Sequence, residues 1–457
     1  MRMSSMTAPS PFKGLLSRLP GLLTGPGFIA IGAYILVKMA PPPGAVTYKI
    51  AFAVAGFGLL WSALSLLLPV GRWWNLLRWC SMNLLVLSSL VAVIEVTGRL
   101  AKINFAALGK KNAADPRQAY PIWAREPDQA LPEVFFQHRG PAHWTGQPIR
   151  ALELLRMGTD NAYVNEPQIT VEYDADGFRN PPGLKDWNAV VVGDSYTELG
   201  YLPFDQIASS VAARDTGLQI KNLGVCSTGL LTYARYLRHF GAAPSCKRVV
   251  YVMFEGNDVQ DTTGEYEALQ RFELTGERAY KDLGPQTSFV KAVADIIHSQ
   301  AKPTRPQSFQ NAWFKAGDQE LPVTVSNELP VNPQDMTTEQ VAAMKAGITA
   351  MAAEARALHL EASLVYVPFN NRVYHGMLRF DNKLPQDVRD WQPHGLAGWI
   401  ADLCKQENIA FLDAYPPLRA AAEQGHYVHN RILDCHVNAE GARIIGKVIA
   451  SALKKQP

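Results

Sequence analysis

A serine ends a hydrophobic run in the segment VVVGDSYTELG, where a glycine and Asp194 separate the valines from Ser195. A serine hydroxyl becomes a nucleophile when a base accepts its proton, and the usual base is a histidine oriented by a carboxylate. The segment ILDCHVNAEG offers Asp434 and His436 just before the last predicted helix. These residue types predict a centre in which Ser195 attacks an acyl ester, His436 carries the proton and Asp434 orients His436.

Attack on an ester also creates an oxyanion, which needs hydrogen-bond donors already in place. Three donors are predicted: the backbone N–H groups of Ser195 and Gly224 and the side-chain amide of Asn257. A glycine at 224 would let the backbone approach a substrate closely. Arg372, in VPFNNRVYHG, could contact an acidic or sugar substrate, although a solvated arginine is the simpler interpretation.

Each of these residues has a plainer interpretation. Ser195 could cap a helix, as small polar residues often do, and Asn257 could be a turn residue. His426 and His429, in GHYVHN, are nearby rivals for the base. The segment DADGFRN at 174–180 is interpreted as a turn that enters the domain, and Asp194 as a residue that fixes its own turn.

Alternating apolar strands and helices must position these residues. Strands are predicted at 187–195, 218–225, 247–258, 362–369 and 409–415. Helices are predicted at 206–215, 228–240, 338–358, 396–407 and 438–455. This alternation predicts a parallel sheet covered on both faces, with its ligand at the carboxyl ends of the strands. Ser195, Gly224 and Asn257 should therefore meet at one edge.

Three apolar spans precede this domain, at 19–37, 50–70 and 79–96. Each is roughly 20 residues, enough to cross a hydrocarbon core of about 30 Å. Residues 1–100 are therefore predicted to form a membrane region with three transmembrane helices, and a cleaved signal peptide is the alternative for the first span. Arginine and lysine before the first span and between the second and third favour a multi-pass protein of the cell (inner) membrane with an extracytoplasmic, periplasmic C-terminal domain.

The remaining chain divides into a polar connector at 101–185 and a C-terminal domain at 186–457, with an irregular insertion at about 260–337. A formal charge of +3 over 457 residues gives no electrostatic footprint for nucleic acid. Five cysteines without a CxxC pair make a structural metal site unexpected. Cys226 and Cys435 flank proposed site residues and could form a disulfide or remain thiols.

Four segments together resemble the SGNH (GDSL-type) hydrolase superfamily over about residues 185–455. GDS at 193–195, NLGVCSTG at 222–229, EGND at 255–258 and DCHVN at 434–438 look like its successive blocks. The resemblance implies a three-layer α/β/α, flavodoxin-like fold with no metal or organic cofactor. One residue separates Asp434 from His436 where most relatives have two, a spacing similar to that of the branch that acetylates secreted polysaccharides.

The leading hypothesis is a membrane-anchored serine esterase of this type, acting on O-acyl (acetyl) esters of a cell-envelope glycan. A lipid ester is the next substrate class. One alternative is an O-acetyltransferase of a secreted or surface polysaccharide, since the same triad could transfer the acyl group to water or to a sugar hydroxyl. The other is a catalytically inert module that binds glycan or envelope partners.

Overall fold

The computed structural model describes the chain at residues 22–24, 26–29, 46–67, 72–100, 125–126, 137–138, 140–148, 167–275, 311–317, 319–326, 329–431 and 436–454. The chain forms two compact units. The first comprises Met1–Lys111 and Pro285–Lys302, and the second Asn112–Gly284 and Pro303–Pro457.

The first unit contains helices α1 (Val46–Leu67) and α2 (Arg72–Leu100). Within the part of the chain that the structure describes, one helical segment is long and apolar enough to cross a bilayer. It is Trp73–Thr97 in α2, 25 residues with a mean hydropathy of 1.8. The third predicted span therefore coincides with such a helix.

The other two predicted spans are not supported in the same way. The second overlaps α1, in which the described side chains give a shorter apolar segment, Ala55–Leu64. The first lies mostly outside the described residues. A hydrogen bond from Trp61 Nε1 to Ser81 Oγ, 3.2 Å long, links α1 to α2.

The second unit contains the strands of the protein that the structure describes. They are β1 (Arg125–Glu126), β2 (Gln137–His138), β3 (Ala142–Gly146), β4 (Ile169–Tyr173), β5 (Ala189–Gly193), β6 (Ile220–Gly224), β7 (Arg248–Phe254), β8 (Ala312–Ala316), β9 (Gln319–Val323), β10 (Glu361–Val367), β11 (Leu378–Phe380) and β12 (Ala410–Asp413).

Its described α-helices alternate with these strands. They are α3 (Ser195–Glu198), α4 (Ala208–Thr216), α5 (Leu230–Phe240), α6 (Asp258–Thr275), α7 (Thr338–Ala357), α8 (Asn370–Val373), α9 (Gln386–Arg389), α10 (Leu396–Gln406), α11 (Tyr415–Glu423) and α12 (Ala439–Lys454).

Five parallel strands form the central sheet in the order β12-β10-β7-β5-β6. Numbered along the chain, this is the doubly wound order 2-1-3-4-5. The chain reverses its direction of winding between β5 and β7, and ligands of such sheets bind outside the carboxyl ends of the strands at this point. Ser195 follows β5 directly and therefore lies at the switch point.

Helices cover both faces of the sheet, which confirms the predicted parallel sheet with two covered faces. One hydrophobic cluster joins the sheet to α4, α11, α12 and the small antiparallel sheet β11-β8-β9. The other joins it to α5, α7 and α10. β5 and β7, in the interior of the sheet, have no polar face, because Val190, Val192, Val250 and Val252 are buried against one cluster or the other.

The described residues of the insertion predicted at 260–337 include regular elements that the sequence did not indicate. It begins inside α6 and contains β8 and β9. α6 could not be predicted from the sequence because its buried face is largely polar. Asp261, Thr262 and Glu265 are all buried. Glu265 accepts hydrogen bonds from the N–H groups of Gly229 (2.6 Å) and Thr232 (3.1 Å) at the start of α5. An apolar stripe, on which the prediction of a helix depends, is therefore absent.

The connector at 101–185 also contributes to the second unit. β3 and β4 pair antiparallel, and Val171 and Phe178 are fully buried. Phe178 packs edge-on against Tyr236 of α5, with ring centroids 5.2 Å apart. The segment from about 169 is thus packed against α5 of the second unit as well as leading into the central sheet.

Candidate active site

The turn after β5 brings Ser195 to the edge of the sheet. Gly193 ends the strand, and a Cβ there would lie 2.2 Å from Thr197 Oγ1 and 2.7 Å from the Val252 carbonyl oxygen, so only glycine fits. Asp194 then caps α3, since its Oδ1 accepts a hydrogen bond from Tyr196 N (2.8 Å). Ser195 occupies the first position of that short helix.

His436 reaches this serine from the far end of the chain. Its Nε2 lies 2.7 Å from Ser195 Oγ, within the range required for proton transfer between a nucleophile and its base. The rings of Tyr196 and Tyr201 lie 5.1 and 5.7 Å from the imidazole, measured between centroids. The Tyr201 hydroxyl donates to the Val437 carbonyl (2.7 Å), which fixes the backbone beside the histidine.

The two rival histidines lie in other surroundings. His429 is fully buried, with its Nδ1 2.8 Å from the Tyr374 hydroxyl. His426 is at the surface, with its Nδ1 3.2 Å from a carboxylate oxygen of Glu440. Asp434 lies outside the described residues, so its orienting role stays a prediction.

Asp194 has a second contact beside the turn that it fixes. Its Oδ2 accepts a hydrogen bond of 3.2 Å from Ser195 Oγ. Burial raises the pKa of Asp194 from its ordinary value near 3.8 to about 7; the Tyr196 N–H and His436 oppose this rise, and the charge of Asp261 adds to it. A carboxyl group that titrates near neutral pH is therefore in contact with Ser195.

This pKa predicts how stability depends on pH. The unfolded chain loses the Asp194 proton at about pH 4, whereas the folded protein holds it to about pH 7. The stability that the neutral carboxyl contributes is present below about pH 4 and is lost as the pH rises to about 7. Relative to Asp194→Asn, the wild type should lose about 1.4 kcal/mol of unfolding free energy per pH unit in this window. Urea titrations of both proteins at several pH values would measure the slope, and parallel curves would contradict the expectation.

The predicted oxyanion donors differ in their surroundings. The Gly224 N–H donates to Asn222 Oδ1 (2.7 Å), and a Cβ at 224 would lie 2.4 Å from Glu198 N. Gly224 therefore permits close packing of β6 against α3, and its amide is not directed toward a substrate. Asn257 follows β7 and is partly exposed, with its Nδ2 2.6 Å from Asp261 Oδ2.

Ser227 is a candidate donor that the sequence did not reveal. It has a left-handed φ of 58°, which is unusual for a residue other than glycine. Among the described residues no acceptor binds its backbone N–H, in contrast to the amides of Gly224, Val225 and Cys226. A serine in a backbone conformation that favours glycine gives no signal in a sequence pattern.

Arg372 lies in a different environment from the predicted one. Its guanidinium forms an ion pair with Glu255, which is fully buried, and it donates to the His394 carbonyl (2.8 Å). Arg372 Nε lies 2.8 Å from both Glu255 oxygens. A guanidinium held in this way stabilises the loop after β10. Its hydrogen bonds therefore favour this structural role over the predicted contact with a substrate.

Two buried charged residues near Ser195, Arg179 and Glu198, were not predicted from the sequence. Arg179 donates to the carbonyl oxygens of Glu198 (3.1 Å), Leu199 and Leu202 (2.9 Å), which surround the end of α3. It belongs to the segment that was interpreted as an entry turn. The sequence gives no signal for this role, because only the fold brings these carbonyl groups together.

Glu198 is the second, and it links α3 to the loop after β6. Its carboxylate accepts hydrogen bonds from Cys226 N (2.6 Å) and the Tyr173 hydroxyl, and lies 3.0 Å from His138 Nε2. Burial would raise the pKa of Glu198, but His138 and these donors lower it below its ordinary value. The carboxylate is thus kept charged, and it links α3 to the loop after β6.

Neither a metal nor a disulfide is built from the described residues. No group of three or more His, Cys, Asp or Glu side chains among them could hold a metal ion. Cys226 is a free thiol, as are Cys80, Cys246 and Cys404. Cys435 lies outside the described residues.

Comparisons with known proteins give distant structural likenesses. No protein-family model matches the chain, and no curated protein is matched. A protein of the G-D-S-L lipolytic family from Desulfitobacterium hafniense is 12% identical, with 58% of this chain and 98% of that chain covered at a TM-score of 0.28. The acetyl xylan esterase Est2A from Butyrivibrio proteoclasticus is 9% identical, with 60% and 65% covered at a TM-score of 0.26.

A carbohydrate esterase family 2 enzyme with a carbohydrate-binding domain, from Corynascus thermopiles (Myceliophthora fergusii), is 12% identical. The match covers 62% of this chain and 70% of that chain at a TM-score of 0.29. These neighbours are esterases and GDSL-type hydrolases.

Proposed function

We propose that the protein is a serine ester hydrolase in which Ser195 is the nucleophile, His436 the general base and Asp434 the carboxylate that orients the base. The observation that carries the proposal is the distance of 2.7 Å between His436 Nε2 and Ser195 Oγ, across 241 positions of sequence. A helix-capping serine would need no such partner. The position at the switch point of a parallel sheet adds independent support.

The reaction begins when Ser195 Oγ attacks the ester carbonyl carbon and His436 Nε2 takes the hydroxyl proton. The oxyanion accepts hydrogen bonds from Ser195 N and from the amide of Asn257, with Ser227 N as a third candidate. His436 then gives its proton to the departing alcohol oxygen, leaving an acyl-serine. Water, deprotonated by His436, attacks this ester, and His436 returns the proton to Ser195 Oγ as the acid is released.

The proposed substrate is an O-acyl ester of a cell-envelope glycan. This choice rests on the likeness of DCHVN at 434–438 to the polysaccharide-acetylating branch and on the apolar helix α2, which we propose anchors the protein in a membrane. A sugar hydroxyl in place of water would make the same acyl-enzyme a transferase. The crossing number and an extracytoplasmic, periplasmic location stay predictions of the sequence.

Labelling with a fluorophosphonate probe tests the proposal. Full-length wild-type protein should be labelled and Ser195→Ala should not, because the probe forms a covalent bond with an activated serine. The label should remain in the membrane pellet after a carbonate wash if α2 is an anchor. Folded wild-type protein that is not labelled would favour the inert binding module. Turnover of aryl esters that requires an oligosaccharide acceptor would favour the transferase.

A further inference from the structure

An asparagine that stabilises an oxyanion must present its amino end. The side-chain amide carries two N–H donors on Nδ2 and an acceptor on Oδ1, and the two ends have nearly the same shape. If Asn257 presented Oδ1, its partial negative charge would oppose the developing oxyanion. Some neighbouring group therefore has to decide which end of Asn257 faces the acyl oxygen.

Asp261 lies where it can fix the orientation of the Asn257 amide. Its Oδ2 accepts a hydrogen bond of 2.6 Å from Asn257 Nδ2, one helical turn along α6. The backbone holds the pair in register, since Asp261 N donates to the Asn257 carbonyl (2.8 Å). An ionised carboxylate can only accept hydrogen bonds, so it attracts the amino end and repels Oδ1. One N–H of Asn257 is used here, and the second is left for another acceptor.

The carboxylate at 261 is also electrostatically unfavourable. Asp261 is buried, with 8% of its surface exposed, and its charge helps to raise the pKa of the neighbouring Asp194. A side chain that served packing alone would not need this charge, whereas orientation of an amide does.

We propose that Asp261 is a positioning residue that fixes the amide of Asn257 with its free N–H toward the acyl oxygen of the substrate. The inference rests on the proposed function and deepens it. Asp261 does not touch the substrate; it acts through Asn257 on the stabilisation of the transition state. Because that stabilisation develops in the transition state, the effect belongs in kcat and not in KM.

Four variants test the proposal on hydrolysis of an aryl ester by the full-length protein. Asp261→Leu removes the acceptor and keeps a branched side chain, although a larger one, and should lower kcat by about 10- to 100-fold, with KM within about twofold of wild type. Asp261→Asn keeps the shape of the side chain but can turn either end of its own amide toward Asn257, so it should recover only part of the kcat lost in the leucine variant. Asn257→Ala should lower kcat by about 100-fold or more. Gln260→Ala, on the exposed side of the same helix, is the matched control and should leave kcat unchanged.

The double variant separates positioning from a general structural role. Asp261→Leu should cause no further loss of kcat when Asn257 is already alanine, because there is no amide left to orient. Equal losses on both backgrounds, or a kcat for Asp261→Leu within twofold of wild type, would overturn the inference. Asp261→Ala replaces the leucine variant if the latter lacks a cooperative thermal melt. Wild-type protein without any turnover would overturn the proposed function itself, and the inference with it.

Discussion

Replacing His436 by alanine should lower kcat for an activated ester by about 10³- to 10⁴-fold, with little change in KM. Without the imidazole, Ser195 keeps its proton at neutral pH and is a poor nucleophile. The loss should appear equally in kcat and kcat/KM, because proton transfer occurs only on the way to the transition state. Steady-state kinetics on a short-chain aryl ester, with the rate of fluorophosphonate labelling as a second readout, would measure it.

His426→Ala is the matched control for this prediction. His426 lies in the segment just before the catalytic loop, is exposed and pairs with Glu440. Its replacement removes the same imidazole from the same region without touching Ser195, so kcat should stay within about twofold. If His426→Ala lost activity while His436→Ala kept it, the assignment of the base would be wrong, despite the distance of 2.7 Å in the structure.

The parts of the molecule that could be predicted are those that one residue pattern determines locally. β5 and β7 are continuous apolar runs, and such runs indicate strands buried on both faces wherever they fold. Ser195 and Asn257 end two of them, so the edge at which they meet followed from the rule for parallel sheets. The pairing of Ser195 with His436 required only that the last helix return to that edge.

The parts that could not be predicted depend on partners distant in sequence. The N–H of Gly224 was expected to face a substrate, but the side chain of Asn222 accepts it. Arg372 was expected at a substrate, but buried Glu255 holds it. In both cases the residue type was compatible with several partners, and in the folded protein its partner is another residue of the same chain. A polar residue with a strong intramolecular partner is a poor candidate for binding, yet the sequence does not show the partner.

Arg179 is the clearest example of such a residue. Its guanidinium is fully buried, and in the described part of the chain its hydrogen bonds go to three carbonyl oxygens. One of these belongs to Leu199, whose φ of 43° lies in the left-handed region. That conformation costs on the order of 1–3 kcal/mol and persists only where surrounding contacts enforce it. Arg179 therefore holds the end of the helix that begins with Ser195.

Arg179→Met should lower the free energy of unfolding by about 3 kcal/mol. The methionine fills most of the same space but leaves the carbonyl groups of Glu198, Leu199 and Leu202 without these donors, at about 1–3 kcal/mol for each buried group. Relief from burying a cation offsets part of this loss. Leu199 would also be freed to leave its strained conformation, which moves α3, so kcat should fall as well. Urea unfolding curves and ester kinetics on the same preparations would measure both effects.

Arg214→Met provides the control for charge and side-chain length. Arg214 also donates to a carbonyl oxygen, that of Asp205, but this bond is exposed to solvent. Water can replace the lost donor there, so the unfolding free energy should change by no more than about 0.5 kcal/mol. If the two variants had the same midpoint and the same kcat, the carbonyl groups around α3 would not need Arg179. The geometry of the nucleophile would then depend on the cap by Asp194 and on the link from Glu198 to Cys226 alone.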